Sequence, residues 1–487
     1  MISDYSELFG ALRPESALVL GALAVLALDL SILRKRRHAS RLLFAVLVAG
    51  VAVVVAGSLA VVGPHGSIFG GALIFDRLAV ATRIGVLTLA LLALGIASAS
   101  KSQRNPAEYI AVILFATSGL TLMAATQQLL LAFLALELAS LSLYVLAGFD
   151  KSRPGSAEAG IKYFLFGGMA AAFLLFGFSL VYGLTGSIEL PAIAERISAQ
   201  PHNPLLMVAL VMVLVAFGFK AAAAPFHLWA PDVYEGAPTA SASLIASASK
   251  LAGFTFFTRI LWSGFPSAAG SVATLHFSAG WLPALAAIAG FSMLIGNFGA
   301  LAQQSVRRLL AYSAIAHSGA LILGVLAAGQ FGTGPLFYYA ATYGLAAAGA
   351  FGVIAVVERT EPCQKITDLA GLHRRSPLLA GCMAVYVLSL AGIPPLAGFF
   401  GKFSVFAAAL RLGGLAGPSG WLVILAIALS ALALYYYLTI LKQALVAAPA
   451  DGAPALDVPP IAGATLLAAA GLIVVFGIFP GLLLDLF

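Results

Sequence analysis

The stretch FGFKAAAAPFHLWAPDVYEGAP, residues 217–238, decides how the chain is built. It places Lys220 in a run of apolar side chains, with Pro225 and Pro231 close behind it. A helix in water turns a lysine outward, and a helix that faces lipid excludes it. What Lys220 does therefore depends first on whether the surrounding sequence lies in a membrane.

The composition indicates a membrane protein. Of the 487 residues, 61% are hydrophobic and 9% are charged, and the mean hydropathy is +1.03. A soluble chain of this composition would have too few charges to cover its surface. Apolar blocks of about 18 residues or more recur along the chain, each long enough to cross the ~30 Å hydrocarbon core as a helix. They lack the alternation of β-barrel strands, so we expect an all-α polytopic membrane protein.

About 14 transmembrane helices are predicted from these blocks. The first is followed by RKRRHASR, which is too basic for the flank of a cleaved signal peptide, so we expect this helix to be retained. The predicted spans are residues 15–33, 42–63, 79–98, 108–125, 127–148, 158–184, 204–224, 238–262, 277–300, 308–328, 335–357, 377–411, 420–442 and 461–484.

Basic residues alternate between loops as the positive-inside rule requires. If the N-terminus is outside, the predicted inward loops carry Arg34, Lys35, Arg36, Arg37, Arg41, Lys101, Arg104, Lys151, Arg153, Arg307, Arg308, Arg359, Lys365, Arg374, Arg375 and Lys442. The outward segments carry only Arg13, Arg77, Arg83, Arg196 and Arg411. The net charge of +7 is therefore a topology signal and not a surface for nucleic acid. We expect both termini on the outward, periplasmic side of a bacterial cytoplasmic membrane.

The sequence lacks the usual signatures of a redox or nucleotide site. Two cysteines, Cys363 and Cys382, are too few for a disulfide framework or an iron–sulfur cluster. Neither a G-x-G-x-x-G fingerprint nor a P-loop occurs. We therefore expect this chain to bind no cofactor and no metal.

Ionisable residues within the predicted spans fall into two groups. Lys162 and Arg259 lie towards the ends of their spans, where a long basic side chain reaches the interface more often than it takes part in transport. Other ionisable residues lie far from either membrane surface. These deep residues are Glu137, Lys220, Lys250 and Lys402, together with His317 inside the tenth span.

The deep charges point to ion or proton transfer. A single charge at the bilayer centre costs ~2.5–3.5 kcal/mol on the more lenient insertion scale, so four of them are hard to explain as accidents. They should face the interior of the helix bundle and find partners or water there. A purely structural polar clamp is the competing explanation.

Prolines explain how the bundle makes room for these charges. Pro225 lacks an N–H and its ring clashes with the carbonyl of Ala221, so the helix should break next to Lys220. Such a break is tolerated at membrane depth only where protein or a water-filled cavity meets the freed backbone. The twelfth predicted span repeats this arrangement, because LSLAGIPPLAGFFGKF contains Pro394 and Pro395 followed by Lys402.

The two breaks also predict an internal repeat. The seventh and twelfth spans are five spans apart and so cross the membrane in opposite directions. Glu137 in the fifth span and His317 in the tenth are offset by the same five spans. Spans four to eight and nine to thirteen are therefore predicted to be two inverted repeats with ion sites at their broken helices.

Long motifs around these residues resemble a known family. The segment KAAAAPFHLWAPDVYEGAPTASASLIASASKLAGF is similar to the proton-channel signature of the antiporter-like subunits of respiratory complex I. Within that group, PFHLWAPDVYEGAP and the lysine at Lys250 resemble the N subunit, or chain 2, of NADH–quinone oxidoreductase. The segments around Glu137 and Lys402 support the resemblance, which covers nearly the whole chain. It implies a fourteen-helix fold with two inverted five-helix repeats.

The resemblance also implies a function and a set of roles. The family pumps protons while electrons pass from NADH to quinone elsewhere in the complex. Carried over, Glu137 and Lys220 form the first charge pair, Lys250 and His317 the central relay, and Lys402 the exit-side residue. Movement of the Glu137 charge towards or away from Lys220 would switch that lysine between holding and releasing a proton.

The implied organisation has three parts: helices 1–3 in residues 1–104, the proton-translocating core of helices 4–13 in residues 105–445, and a loop with helix 14 in residues 446–487. The implied partners are an adjacent antiporter-like subunit, small helical membrane subunits and the lipid bilayer, with no nucleic acid. NADH, flavin, iron–sulfur clusters and quinone are expected in other subunits.

Two other functions are compatible with parts of this sequence pattern. Subunits of cation/proton antiporters share the lysine–proline break and the inverted repeats, but they usually read PLHxWLPdAM where this chain has PFHLWAPDVYEG. A related membrane-bound oxidoreductase belongs to the same alternative. A structural spacer is the second rival, and the deep charges argue against it because leucines there would be more stable.

The charge pattern makes a topology prediction. Reporter fusions at Phe487 should place the C-terminus on the periplasmic side, because the basic loops alternate with the predicted spans. A fusion after Arg375 should report from the cytoplasm and serves as the control. A cytoplasmic signal at Phe487 would show that the count of fourteen spans is wrong by one.

Overall fold

The computed structural model describes residues 2–100, 105–272, 278–415, 417–449 and 452–487, so Lys101 and Arg104 of the predicted inward loops lie outside the described residues. A short antiparallel hairpin, β1 Gly66–Ile68 and β2 Leu73–Phe75, is the one two-stranded sheet in these ranges. The α-helices of the same ranges are α1 Ile2–Ala11, α2 Arg13–Leu28, α3 His38–Val62, α4 Arg77–Ala97, α5 Pro106–Met123, α6 Leu129–Ala147, α7 Pro154–Thr185, α8 Leu190–Ile197, α9 Pro204–Ala221, α10 Trp229–Gly236, α11 Thr239–Ala246, α12 Ala248–Gly264, α13 Trp281–Leu301, α14 Val306–Phe331, α15 Gly334–Val357, α16 Leu372–Arg375, α17 Pro377–Ala391, α18 Ala397–Gly413, α19 Pro418–Leu445, α20 Pro460–Ile478 and α21 Gly481–Leu484.

Membrane-spanning length is a property of most of these helices. Within the described residues, 13 helical segments are long and apolar enough to cross a membrane. They match the predicted spans except the twelfth, where α17 and α18 together replace one long helix. The all-helical membrane architecture is thus confirmed, and the count of fourteen agrees with it.

Both predicted breaks are present. Helix α9 ends at Ala221, the residue whose carbonyl Pro225 was expected to displace, and Ala222 adopts a left-handed conformation with φ of 54°. Helix α17 ends at Ala391, followed by Gly392 with φ of 87° and then by Pro394 and Pro395. A third break was not predicted: Ser247 separates α11 from α12 in the middle of the eighth span, with no proline to mark it.

The loops meet on two faces of the bundle. On the face that carries most of the basic loops, called the basic face here, Arg307 of α14 pairs with Glu358 after α15, and Arg359 pairs with Asp457 before α20. On the opposite face, Glu15 near the start of α2 pairs with Arg83 of α4. The C-terminal Phe487 packs on Phe337 near the start of α15 on that opposite face. Residues near the two ends of the chain therefore lie on the same face.

Matching hydrogen bonds support the internal repeat. On the opposite face, the Leu129 amide donates to the carbonyl of Ile188 and the Leu190 amide donates to that of Gln127, with N···O distances of 2.8 and 2.9 Å. On the basic face, the Val306 amide donates to the Gln364 carbonyl and the Ile366 amide to the Gln304 carbonyl, at 3.0 and 2.9 Å. Each pair of bonds joins the residues at the start of one span to the residues that follow the end of the next span. Their placement on opposite faces agrees with two inverted repeats.

Close packing between helices shows which residues of the two repeats are in equivalent positions. A Cβ on Gly119 of α5 would lie 2.5 Å from the Ala139 nitrogen, and a Cβ on Gly296 of α13 would lie 2.3 Å from the Ala316 nitrogen. Ala139 and Ala316 are therefore equivalent positions. By this register the counterpart of Glu137 is Ala314, so His317 lies about one turn further along its helix than the shared five-span offset indicated.

This packing predicts a stability effect. Gly119→Ala should destabilise the chain by about 1–3 kcal/mol, because its Cβ meets backbone atoms that cannot move away. Gly168→Ala is the matched control, since a Cβ there has no atom within 4 Å. The amount of assembled protein in membranes and its apparent melting temperature in detergent measure both effects. Equal stability of the two variants would contradict the close contact between α5 and α6.

Candidate functional site

Lys220 lies at the first break with its ammonium group inside the bundle. It is the penultimate residue of α9 and its side chain is buried. Its Nζ donates a hydrogen bond to Ser140 Oγ of α6 at 3.3 Å. Because α9 ends here, the partial negative charge of its C-terminus also favours a cation at this position.

Glu137 does not contact Lys220 directly. It lies one turn before Ser140 on α6, is half-buried, and its Oε1 atom is buried without a hydrogen-bond partner among the described residues. Glu137 and Lys220 form no ion pair, and the ammonium binds the Ser140 hydroxyl, one turn from Glu137 on the same helix.

Lys250 is connected to the break by Ser318. The Lys250 Nζ atom donates to the Ala314 carbonyl at 2.6 Å and to Ser318 Oγ at 2.7 Å, and it lies 5.1 Å from the centre of the Tyr343 ring. Ser318 Oγ in turn lies 2.5 Å from the carbonyl oxygen of Ala221, next to Lys220. One hydroxyl group thus bridges Lys250 and the last residue of α9.

The break at Ser247 places Lys250 in this position. Ser247 has φ of −115° and ψ of −82°, and α12 begins at the next residue. The Lys250 amide donates to the Ser247 carbonyl at 3.1 Å, which turns the chain directly before the lysine. Thr239, Ser243 and Ser247 recur every four residues on the same side of α11. Ser243 Oγ is fully buried and unpaired in the described part of the chain.

His317 is held by two tyrosines. Its Nδ1 atom lies 2.7 Å from Tyr339 Oη and its Nε2 atom lies 3.0 Å from Tyr437 Oη. The Tyr437 hydroxyl also lies 2.5 Å from Ser313 Oγ. His317 is one turn from Ala314, whose carbonyl accepts Lys250, but it makes no direct hydrogen bond with that lysine.

Lys402 lies at the second break. Its Nζ donates to the carbonyl of Ala391, the last residue of α17, at 3.0 Å. A cavity of about 30 Å³ joins it to His317, which is enough space for water. Tyr339, Asn297 and Tyr436 line the same cavity. The structure thus places the five sequence-predicted residues along one row, called the buried row here. Lys220, Lys250 and His317 are buried, and Glu137 and Lys402 at its two ends are half-buried.

Four residues of this row were missed by sequence reasoning: Ser140, Ser318, Tyr339 and Tyr437. Serine is common in membrane helices as a small packing residue, and a buried tyrosine is equally common in a core. Only spacing offered a signal. Ser140 is one turn from Glu137, and Ser318 follows His317, so each polar residue has a polar neighbour on its own helix.

Lys162 and Arg259, the two basic residues near the ends of their spans, each form an ion pair with an acidic residue. Lys162 donates to Asp232 of α10 at 2.5 Å and pairs with Glu158 at the basic face. Arg259 is 7% exposed, donates to the Ala124 carbonyl and pairs at 2.7 Å with Asp76, which caps the start of α4. This ion pair could not be predicted from the sequence, because the two residues are 183 positions apart.

Asp232 is the centre of a clamp on the basic face. Arg308 of α14 binds Asp232 at 2.7 Å and Glu235 at 3.1 Å, in addition to the bond from Lys162. Partial burial raises the pKa of the Asp232 carboxyl, but the hydrogen bonds from Lys162 and Arg308 outweigh it and hold the pKa below its usual value. The clamp joins α7, α10 and α14 around the first break.

In the described ranges, no group of three or more histidine, cysteine, aspartate or glutamate side chains is arranged to hold a metal ion. Cys363 and Cys382 are both buried and unbonded to each other.

A protein family and several known proteins are similar to this chain over most of its length. Residues 126–432 match the family described as NADH:quinone oxidoreductase/Mrp antiporter, TM, a region that contains all five sequence-predicted site residues. The chain is 47% identical over 496 residues to NADH-quinone oxidoreductase subunit N 2 of Acidobacterium capsulatum, covering 99% of this chain and 98% of that protein. The chain belongs to the subunit N family of NADH–quinone oxidoreductase. Subunit N of Nitrosomonas europaea is 41% identical over 382 residues, 78% of this chain and 76% of that one.

Solved structures share the fold. A chain of respiratory complex I from Thermus thermophilus with bound aureothin superimposes with a TM-score of 0.78 at 33% identity, over 97% of this chain and 99% of that chain. A chain of the Mrp complex from Dietzia sp. gives a TM-score of 0.79 at 22% identity, over 97% of this chain and 96% of that one, a likeness of fold alone.

The basic-face clamp predicts a specific loss of stability. Asp232→Asn should cost about 1–2 kcal/mol, since it weakens two charge-assisted hydrogen bonds that are only partly screened by water. Glu235→Gln is the control, because it loses one more exposed contact and should cost less than about 1 kcal/mol. Apparent melting temperatures of the purified variants provide the measurement. If the two variants melt together, Asp232 does not organise the clamp.

Proposed function

We propose that this chain is a membrane-arm subunit of NADH–quinone oxidoreductase that translocates protons, coupled to electron transfer from NADH to quinone in other subunits. The observation that carries the proposal is the buried row of polar groups from Glu137 to Lys402. Its members lie on both halves of the bundle and meet at helix breaks. A spacer protein would have no need of ammonium groups in such positions.

The first part of the proposed mechanism is a switch at Lys220. A buried ammonium is costly unless a negative charge is close, so approach of Glu137 favours the protonated lysine and withdrawal favours release. Glu137 has room to act in this way, because its Oε1 atom is not committed to a hydrogen bond among the described residues. The Ser140 hydroxyl, one turn from Glu137 on α6, accepts a hydrogen bond from Lys220 and so keeps a partner for the ammonium when the carboxylate withdraws.

The second part is lateral transfer along the row. Ser318 connects the neighbourhood of Lys220 with Lys250 of α12. Lys250 in turn donates to the carbonyl of Ala314, which lies one turn before His317 on α14. A histidine with a hydroxyl on each ring nitrogen can accept a proton on one side and release one on the other. Water in the adjoining cavity would carry the proton from His317 to Lys402.

The third part of the proposed mechanism is the access of protons from the basic face to Lys250. A cavity of about 410 Å³ opens near Thr239, Glu358 and Cys363. From Thr239 the hydroxyl groups of Ser243 and Ser247 follow the same side of α11 towards Lys250. The unpaired Ser243 hydroxyl supports hydration of this stretch, because a buried hydroxyl without a partner is costly when dry.

The same proposal covers location and partners. We place the chain in the bacterial cytoplasmic membrane with the basic face inward and both termini on the periplasmic side. Residues 105–445 form the translocating core, between helices 1–3 and the C-terminal loop and helix 14. Neighbouring membrane subunits include another antiporter-like chain, and flavin, iron–sulfur clusters and quinone belong to other subunits. Co-purification with flavin and iron–sulfur subunits distinguishes this assignment from a cation/proton antiporter.

Arginine substitution tests whether Lys220 must release its proton. Lys220→Arg keeps the charge but cannot be deprotonated in a protein, so proton pumping by the assembled complex should fall at least about tenfold. Lys402→Arg at the second break should fall similarly. Proton uptake by inverted membrane vesicles during NADH oxidation is the measurement.

Lys162→Arg is the matched control for these variants. Lys162 lies on a span but is bound to carboxylates at the basic face, so an arginine there should pump at the wild-type rate. If Lys220→Arg and Lys402→Arg both assemble and pump like the wild type, the lysines are structural cations and the proposed relay is wrong.

A further inference from the structure

A groove between α2 and α3 lies outside the buried row and has a different chemistry. It is about 480 Å³ in volume and lies where these two helices approach the basic face. Its polar end is formed by Asp29, Arg36, Ser40 and Arg41. The remaining wall is apolar and consists of Val25, Leu28, Ile32, Leu33, Phe44, Ala45 and Val48.

The polar end is positively charged. Arg41 donates two hydrogen bonds to Asp29, at 2.7 and 2.5 Å, which neutralises the one carboxylate of the lining. Arg36 is exposed, and no carboxylate in the described ranges pairs with it. The adjacent Arg34, Lys35 and Arg37 are exposed as well. Helix α3 starts at His38 with no acidic residue in its first turn, so its N-terminus adds to the positive potential.

The apolar wall has the depth of one membrane leaflet. Val48 lies eight residues beyond Ser40 on α3, which corresponds to about 12 Å along the helix axis. Half of the hydrocarbon core is about 15 Å. Ile32 and Phe44 are 66% and 49% exposed, so the wall opens towards the surrounding bilayer. A soluble anion would use the polar end alone and leave this wall uncovered.

We propose that this groove binds an anionic phospholipid of the leaflet next to the basic face. The headgroup phosphate accepts hydrogen bonds from Arg36 and Ser40, and one acyl chain lies between α2 and α3 down to Val25 and Val48. A basic pocket between membrane helices at this depth suits an anionic headgroup, whereas a zwitterionic lipid brings a cation to a site that is already positive. The Asp29–Arg41 pair joins the residues after α2 to α3 at the headgroup level.

The test uses the purified complex that contains this chain, in nanodiscs of phosphatidylcholine with a trace of lipid carrying a diazirine on its acyl chain. After illumination, mass spectrometry measures labelling of peptides from residues 25–48. A phosphatidylglycerol probe should label them more than a phosphatidylcholine probe. Arg36→Ala should lower labelling by the anionic probe about fivefold. Arg34→Ala, with the same loss of charge in the same loop but outside the groove, should leave it unchanged.

A second pair of variants tests the apolar wall. Val48→Trp fills the groove and should abolish labelling by the anionic probe, whereas Leu47→Trp, on the exposed side of α3, should not. This pair decides the outcome if Arg36→Ala does not assemble. Equal labelling by both probes, or equal effects of Arg36→Ala and Arg34→Ala, would overturn the proposal. Displacement by added inorganic phosphate would reassign the polar end to a soluble anion.

Discussion

A carbonyl group freed at a helix break inside a membrane must find a donor, because no bulk water is present to supply one. This constraint organises the centre of the molecule. At the first break Ser318 donates to the Ala221 carbonyl. At the second break the donor is Lys402, whose ammonium binds the Ala391 carbonyl. At this second break a cation and a broken helix satisfy each other, since the end of a helix carries negative potential and the lysine needs an acceptor.

The sequence predicted those parts of the structure that depend on local chemistry. Span length follows from apolar content, and the end of α9 at Ala221 follows from the ring of Pro225. The break at Ser247 could not be predicted in this way, because it has no proline and arises where α11 and α12 pack among α4 and α15. Contacts between distant residues were equally hidden: Ser140 and Lys220 are 80 residues apart, and Arg259 and Asp76 are 183 apart.

The candidate site was predicted as a set of residues but not as a connected arrangement. Depth in the membrane identified Glu137 and the lysines, since charge at that depth is costly. It did not reveal that hydroxyl groups separate them, because serine and tyrosine are inexpensive to bury when hydrogen-bonded and leave no mark in hydropathy. The register of α6 and α14, fixed by Gly119 and Gly296, is likewise a property of packing. It sets His317 one turn away from the position that Glu137 occupies in the other half.

The paired backbone bonds at Gln127–Leu190 and Gln304–Ile366 divide each half into stiff and compliant parts. Each pair of bonds ties together the two ends of a segment of two spans, so α6 with α7, and α14 with α15, should move as rigid units. The breaks are instead bridged by side-chain hydrogen bonds, from Ser318 at the first and Lys402 at the second. A displacement imposed by a neighbouring chain would then be transmitted by these rigid helix pairs to the helix breaks, where Lys220 and Lys402 lie.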